Sequence, residues 1–211
     1  MSPLVEAALQ PRKMPVQARS SVTVEAIAEA TIQVLLAVGP DRLTTTRVAK
    51  RAGVSVGTLY QYYPNKRALL FSVMEQHLNF VADTVEETCE RHHGQALAAM
   101  VGAVVRAFLD AKMRRPDVST ALYAVSAELD GPALVAKIGN RARVALATML
   151  GTAMDARFEE LEFTTQMVYS AMAGTTRTVI EAGASAKMVR ALRAELELMC
   201  VGYLEKAAAR D

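Results

Sequence analysis

The sequence predicts an all-α protein, and three observations carry that prediction. No alternation of apolar and polar residues persists beyond four positions, so strands of ordinary length have no pattern to support them. Capping and stopping residues punctuate the chain at helix-length intervals, with Gly or Pro after the apolar-periodic stretches. Trp is absent and aromatic residues make up only 5%, against 52% hydrophobic residues in all. Such a core must be built from Ala, Leu, Val and Met, a set that suits close-packed helices better than a β-sandwich. With 211 residues, 22% of them charged, the chain is long enough for a sizeable core and too apolar for disorder.

Each element then has its own signal. Residues 1–20 hold Pro3, Pro11 and Pro15 and the basic Arg12, Lys13 and Arg19, which predicts a flexible basic arm. Ile27, Ala30, Ile32, Val34 and Leu35 give a helix over Val22–Val38, closed by Gly39-Pro40. Thr44 caps a short helix to about Ala52, which Gly53 ends in the left-handed conformation. Ser55 caps a second short helix, Val56–Tyr62, stopped by Pro64. Asn65 caps a long helix with Leu69, Leu70, Val73, Met74, His77 and Leu78 on one face, ending near Gly94. Further helices are predicted over Gln95–Arg114, Val118–Leu129 and Leu134–Met154 or beyond. The last two, Glu160–Ala182 and Ala186–Ala208, are separated by Gly183 as stop and Ser185 as cap.

The net charge of +2 is unevenly spread. Residues 1–76 hold nine Lys and Arg against five Asp and Glu, and residues 77–211 hold fifteen against seventeen. A basic surplus confined to one end is the asymmetry expected of a chain that meets a polyanion. No charge-free stretch reaches the roughly 20 apolar residues of a membrane span. Glu6 interrupts the apolar run at the N-terminus, unlike a signal peptide. The chain is therefore expected in the cytoplasm with no membrane partner. Cys89 and Cys200 give neither a disulfide framework nor a zinc spacing, and the Cys89-x-x-His92-His93 run lacks a second ligand pair. No metal or cofactor is expected. No nucleophile–base pair or phosphate loop points to an enzyme.

The informative stretch is Leu43–Leu70, in which two short helices meet at a tight turn on Gly53. Small Ala49 lies where the helices must approach closely, with Val48, Val54 and Leu59 beneath. The second helix offers an uncharged face able to enter a major groove. Lys66 and Arg67 follow the Asn65 cap, and Arg47 stands where Glu would close a capping box; both placements favour an anion at a helix terminus. The run Ala52-Gly53-Val54-Ser55-x-Gly57-Thr58-Leu59-Tyr60-x-Tyr62-Tyr63-x-x-Lys66 closely resembles the DNA-binding domain of the tetracycline-repressor (TetR) family of bacterial regulators. The likeness covers about 55 residues, back to about Arg19.

The resemblance implies a three-helix DNA-binding domain over 21–66 and a helical ligand-binding and dimerisation bundle over 67–211. It implies phosphate contacts from Thr45, Ser55, Thr58, Tyr60, Tyr62 and Lys66, and base contacts from Thr46 or Arg47, Val56, Gly57 and Gln61. Arg47 departs from the acidic residue frequent at its position, leaving base reading, phosphate binding and solvent exposure open. Tyr63 is expected in the core, with Lys50 and Arg51 solvated. The implied partners are double-stranded DNA, a second copy of the chain and a small, largely apolar effector. The implied activity is a ligand-released repressor on a near-palindromic operator. A helical protein-interaction module without specific DNA binding is the alternative. Leu161, Met167, Val168, Ala171, Met172, Thr175 and Val179 on the first of the last two helices, with Met188, Leu192, Glu195, Met199, Cys200 and Tyr203 on the second, suit a dimer face or their own domain's core. Pocket candidates are Met172 and the polar residues set in apolar helices, Arg106, Tyr123, Glu128, Tyr169 and Arg177.

Overall fold

The computed structural model describes residues 18–208, and within them nine α-helices and one 3₁₀ turn make up all the regular structure. Apart from its last three residues the basic arm, including Arg12 and Lys13, lies outside the described residues. α1 (Ala18–Arg42) starts four residues earlier than the sequence pattern suggests. Its regular turns end at Gly39, whose φ of 76° and ψ of 171° belong to a region that essentially only glycine occupies. By length and composition alone α1 is apolar enough to cross a membrane over Ser21–Arg42, although Glu25, Glu29 and Asp41 interrupt it and no charge-free run there approaches 20 residues. Its Ile27, Ala30, Val34 and Leu35, however, are buried in a helical core.

α2 (Thr45–Ala52) and α3 (Val56–Tyr62) follow, and α4 (Lys66–Arg91) is started by Asn65, whose Oδ1 accepts the Ala68 amide at 2.9 Å. These helices, as far as His77, form one compact unit with the segment Asp117–Val135. That segment holds α6 (Pro116–Val125) and a 3₁₀ turn, Ser126–Leu129. The sequence pattern merges the two into one helix. The structure separates them at Val125, and the tighter turn closes where Asp130 is left-handed (φ 55°) and Gly131 passes so close that a Cβ there would lie 2.6 Å from the Ser126 carbonyl oxygen. His77 Nε2 meets the buried Ser119 hydroxyl at 2.9 Å within this unit.

The second unit comprises Leu78–Pro116 and the chain from Ala136 onward. α5 (Leu97–Met113) is its central helix, with 11 of its 17 residues buried. α7 (Gly131–Leu150) is fastened to α4 by Arg141, whose guanidinium reaches Asn79 (2.8 Å), Asp83 (2.7 Å) and Glu86 (2.5 Å). It stops at Leu150, four residues before the expected Met154. The chain is needed there to cap α5: Asp155 Oδ1 accepts the Leu97 amide at 2.8 Å, a service the Ala96 side chain cannot perform. α8 (Leu161–Glu181) and α9 (Ala186–Ala207) complete the unit, with Ser185 capping α9. Gly102 leaves room between α5 and α9 for the Arg106–Glu197 pair; a Cβ there would sit 2.7 Å from Glu197 Oε1.

Candidate nucleic-acid interface

The turn is built as the residue types require. Thr44, in extended conformation, accepts the Arg47 amide at 3.3 Å and so opens α2. Gly53 closes it at φ 69°, and the next amide, Val54, donates to the Ala49 carbonyl at 3.0 Å. Val48, Ala49 and Leu59 are buried beneath the turn, where α2 packs on both α1 and α3. Ser55 then accepts the Thr58 amide at 2.9 Å and shares a second contact with the Thr58 hydroxyl at 2.8 Å. Tyr63 ends α3 buried, its hydroxyl 3.3 Å from Ser72, and burial raises its phenol above the usual value.

Outside this core, α3 presents Ser55, Val56, Gly57, Tyr60 and Gln61 to solvent, all uncharged. Thr46 and Arg47 are exposed on the first turn of α2, with Thr45, Thr58 and Tyr62 half-buried beside them. The Thr45 hydroxyl lies 3.1 Å from the Tyr60 hydroxyl, so the two phosphate candidates are one polar pair bridging α2 and α3. Sequence reading placed both residues here without anticipating that they touch. The cations behave differently from that reading. Lys66 Nζ donates to the Pro40 carbonyl at 2.8 Å, and Arg67 Nη2 to the Glu128 carbonyl at 2.7 Å. Their position after the Asn65 cap thus has an internal explanation and no longer argues by itself for a phosphate. Lys66 keeps two further N–H donors. Arg51 is tied to Gln33 of α1 at 2.6 Å.

Two stretches of the chain match family models. Residues 27–73 match the bacterial regulatory proteins of the tetR family, and residues 96–204 match the tetracyclin repressor-like C-terminal domain. The second match alone spans more than half of the chain. The chain belongs to the tetR family. Among curated relatives, the nucleoid occlusion factor SlmA of Pasteurella multocida is 32% identical over 103 residues, 47% of this chain and 49% of that protein. The HTH-type transcriptional regulator YvdT of Bacillus subtilis is 33% identical over 70 residues, a third of either chain. This chain spans about half, or less, of the length of these relatives. Solved structures agree over far more of the length. A TetR-family transcriptional regulator from Mesorhizobium loti covers 92% of this chain and all of its own, with TM-score 0.77 at 13% identity. FadR of Bacillus halodurans, a fatty acid degradation regulator, covers 85% of this chain and 95% of its own, with TM-score 0.67 at 19% identity. At such identities the likeness is one of fold.

The pocket candidates are divided between the two units. Tyr123 and Glu128 belong to the N-terminal unit, Glu128 as an exposed residue of the 3₁₀ turn. In the other unit, Arg106 pairs with Glu197 at 3.4 Å and Arg177 with Glu181 at 2.8 Å, both at the surface. Tyr169 packs over Gly139 of α7, where a Cβ would meet its hydroxyl at 2.5 Å, and burial raises its phenol. Met172 is buried in α8. An apolar cleft of about 160 Å³ opens between α8 and α9, walled by Met167, Val168, Ala171, Met199, Cys200 and Tyr203. Among the described residues no group of three His, Cys, Asp or Glu could hold a metal ion. Burial pushes the Cys89 thiol up to about 12, which makes it a poor ligand at neutral pH.

Proposed function

We propose that the protein is a homodimeric transcriptional repressor, acting in the cytoplasm, that reads a near-palindromic operator with α3 in the major groove and is released by a small-molecule effector. The observation that carries this reading is Gly57. It lies in the first turn of α3, and glycine is a poorer helix former than alanine, by at most about 1 kcal/mol. Nothing in the fold asks for it: a Cβ there would meet only Ser55 Oγ, at an ordinary 3.6 Å. A side chain is therefore missing on account of something outside the chain that must come close to the helix, which on an exposed, uncharged face suits the floor of a DNA groove. Ser55, Thr58 and the Thr45–Tyr60 pair flank that face as neutral phosphate donors, and Val56 and Gln61 stand where base edges would be.

Two copies are needed to read half-sites about 34 Å apart. The half-exposed apolar residues around the α8–α9 cleft support a dimer through those helices. An effector that releases the operator tenfold must favour the unbound arrangement by at least about 1.4 kcal/mol.

The test is fluorescence anisotropy on DNA upstream of the protein's own gene against a scrambled duplex, titrated with salt, for the wild type and Gly57→Ala. Selective binding with a steep salt slope is expected for the wild type. Gly57→Ala is expected to melt at the same or a higher temperature while losing at least tenfold in selective affinity. Equal, weak binding to both duplexes and to fragments selected across the genome would sink the DNA-reading proposal.

A further inference from the structure

We infer that the groove between α4 and α5 of the C-terminal unit is a binding site for a small aromatic carboxylate, with Arg114 as its anion-binding residue. The groove has a volume of about 560 Å³. Its floor is low because both walls carry small residues over one helical turn: Thr84 and Thr88 on α4, Ala107 and Ala111 on α5. A turn is ~6 Å long, the length of a single ring. Both threonine hydroxyls donate into their own helix, Thr84 to the Phe80 carbonyl at 2.8 Å and Thr88 to the Thr84 carbonyl at 2.7 Å, so neither has a proton left for a ligand. The floor therefore suits an apolar body and supplies no donor.

The donors stand at the ends. Arg114 lies with its guanidinium carbon 5.1 Å from the centroid of the half-exposed Phe80 ring. Stacking uses the face of the guanidinium and leaves its edge of N–H groups free in a fork that matches a carboxylate. Arg91 stands at the other end of the same wall, where it adds positive charge although its Nε and Nη2 donate within α4, to the Glu87 carbonyl at 3.1 Å and the Thr88 hydroxyl at 3.3 Å. The carboxylate in the groove, Asp110, would oppose an anion, but Arg193 of α9 holds it in an ion pair. The local balance is cationic on an apolar floor, which selects an organic anion over a neutral or cationic ligand.

The inference deepens the effector-released reading, on which its regulatory consequence rests; binding itself does not depend on it. The experiment is isothermal titration of the full chain with phenylacetate and with phenylacetamide, its uncharged counterpart. Phenylacetate is expected to bind at least tenfold more tightly than the amide. Arg114→Gln, an exchange at an exposed helix end, is expected to remove that preference, and Ala107→Leu to block both ligands by filling the floor. The signs of two further variants follow from the ion pair: Asp110→Asn strengthens phenylacetate binding, and Arg193→Gln weakens it by freeing Asp110. No heat with phenylacetate at millimolar concentration overturns the inference, as does unchanged affinity in a folded Arg114→Gln. Operator binding measured on the same samples separates the two readings. Intact DNA binding without phenylacetate binding overturns the groove alone, whereas phenylacetate binding without DNA binding supports the groove and overturns the regulator.

Discussion

At the scale of single residues, burial sets the chemistry of three groups. Burial pushes the Cys89 thiol up to about 12 and the Cys200 thiol up to about 11, and draws the Lys112 ammonium down to about 8. The thiol shifts keep both cysteines protonated in the folded chain, so iodoacetamide at pH 8 should modify neither until denaturant is added. Rapid alkylation of the native protein would contradict their burial. The stability consequences have opposite signs. An unfolded lysine holds its proton to about 10.5. Between pH 8 and 10.5 the unfolded state therefore binds more protons than the folded one, and stability rises with pH. For the thiols the unfolded value is 9.0, so their contribution is whole below pH 9 and is lost as pH rises through the folded values. Between pH 8 and 9 Lys112 acts without the thiols. Urea midpoints of the wild type should climb across that interval, whereas those of Lys112→Met should stay flat. Parallel curves would remove Lys112 as the group responsible.

At the scale of elements, legibility followed the range of the interaction that fixes each boundary. α2, α3 and the start of α4 could be read almost to the residue, because Thr44, Gly53, Ser55 and Asn65 act on amides and carbonyls within three or four positions. The site faces of α2 and α3 could be read for the same reason. The 3₁₀ turn after α6 could not, since its cramped joint at Gly131 is local but carries no capping signal, and the end of α7 could not, since it depends on a contact between residues 58 apart, Asp155 with the Leu97 amide. Lys66 and Arg67 show the same limit within the candidate site, their carbonyl partners lying 26 and 61 residues away. The joint offers a direct check. Gly131→Ala sets a Cβ 2.6 Å from a main-chain oxygen that cannot swing aside, and should cost about 1–3 kcal/mol. Gly102→Ala meets only the mobile ends of Glu197 and Arg106 and should cost less. The two melting temperatures decide it, and a Gly131→Ala as stable as the wild type would mean that the 3₁₀ turn yields freely.

At the scale of the whole molecule, the apolar surface of the C-terminal unit divides in two. Val168, Met172, Leu192 and Cys200 are buried in their own unit, as the more conservative reading of these helices allows. Phe163, Met167, Leu198, Met199 and Tyr203 remain exposed on the same pair of helices, a larger set of big apolar side chains than a solitary soluble domain usually leaves in one region. A second copy covering them would give the symmetry that an operator with two half-sites requires. Met199→Asp tests this because Met199 is 42% exposed, so the charge stays hydrated in a single chain and is stranded only in a dimer. Sedimentation should place the wild type at twice 22.8 kDa and the variant at 22.8 kDa, with an unchanged helical spectrum. On operator DNA the variant should lose at least a hundredfold in affinity. The slope of log K against log salt should fall to about half, because one DNA-binding unit releases half of the counterions. A variant that still dimerises and binds with the full slope would place the dimer contact on another face, leaving the exposed residues of α8 and α9 for a different partner.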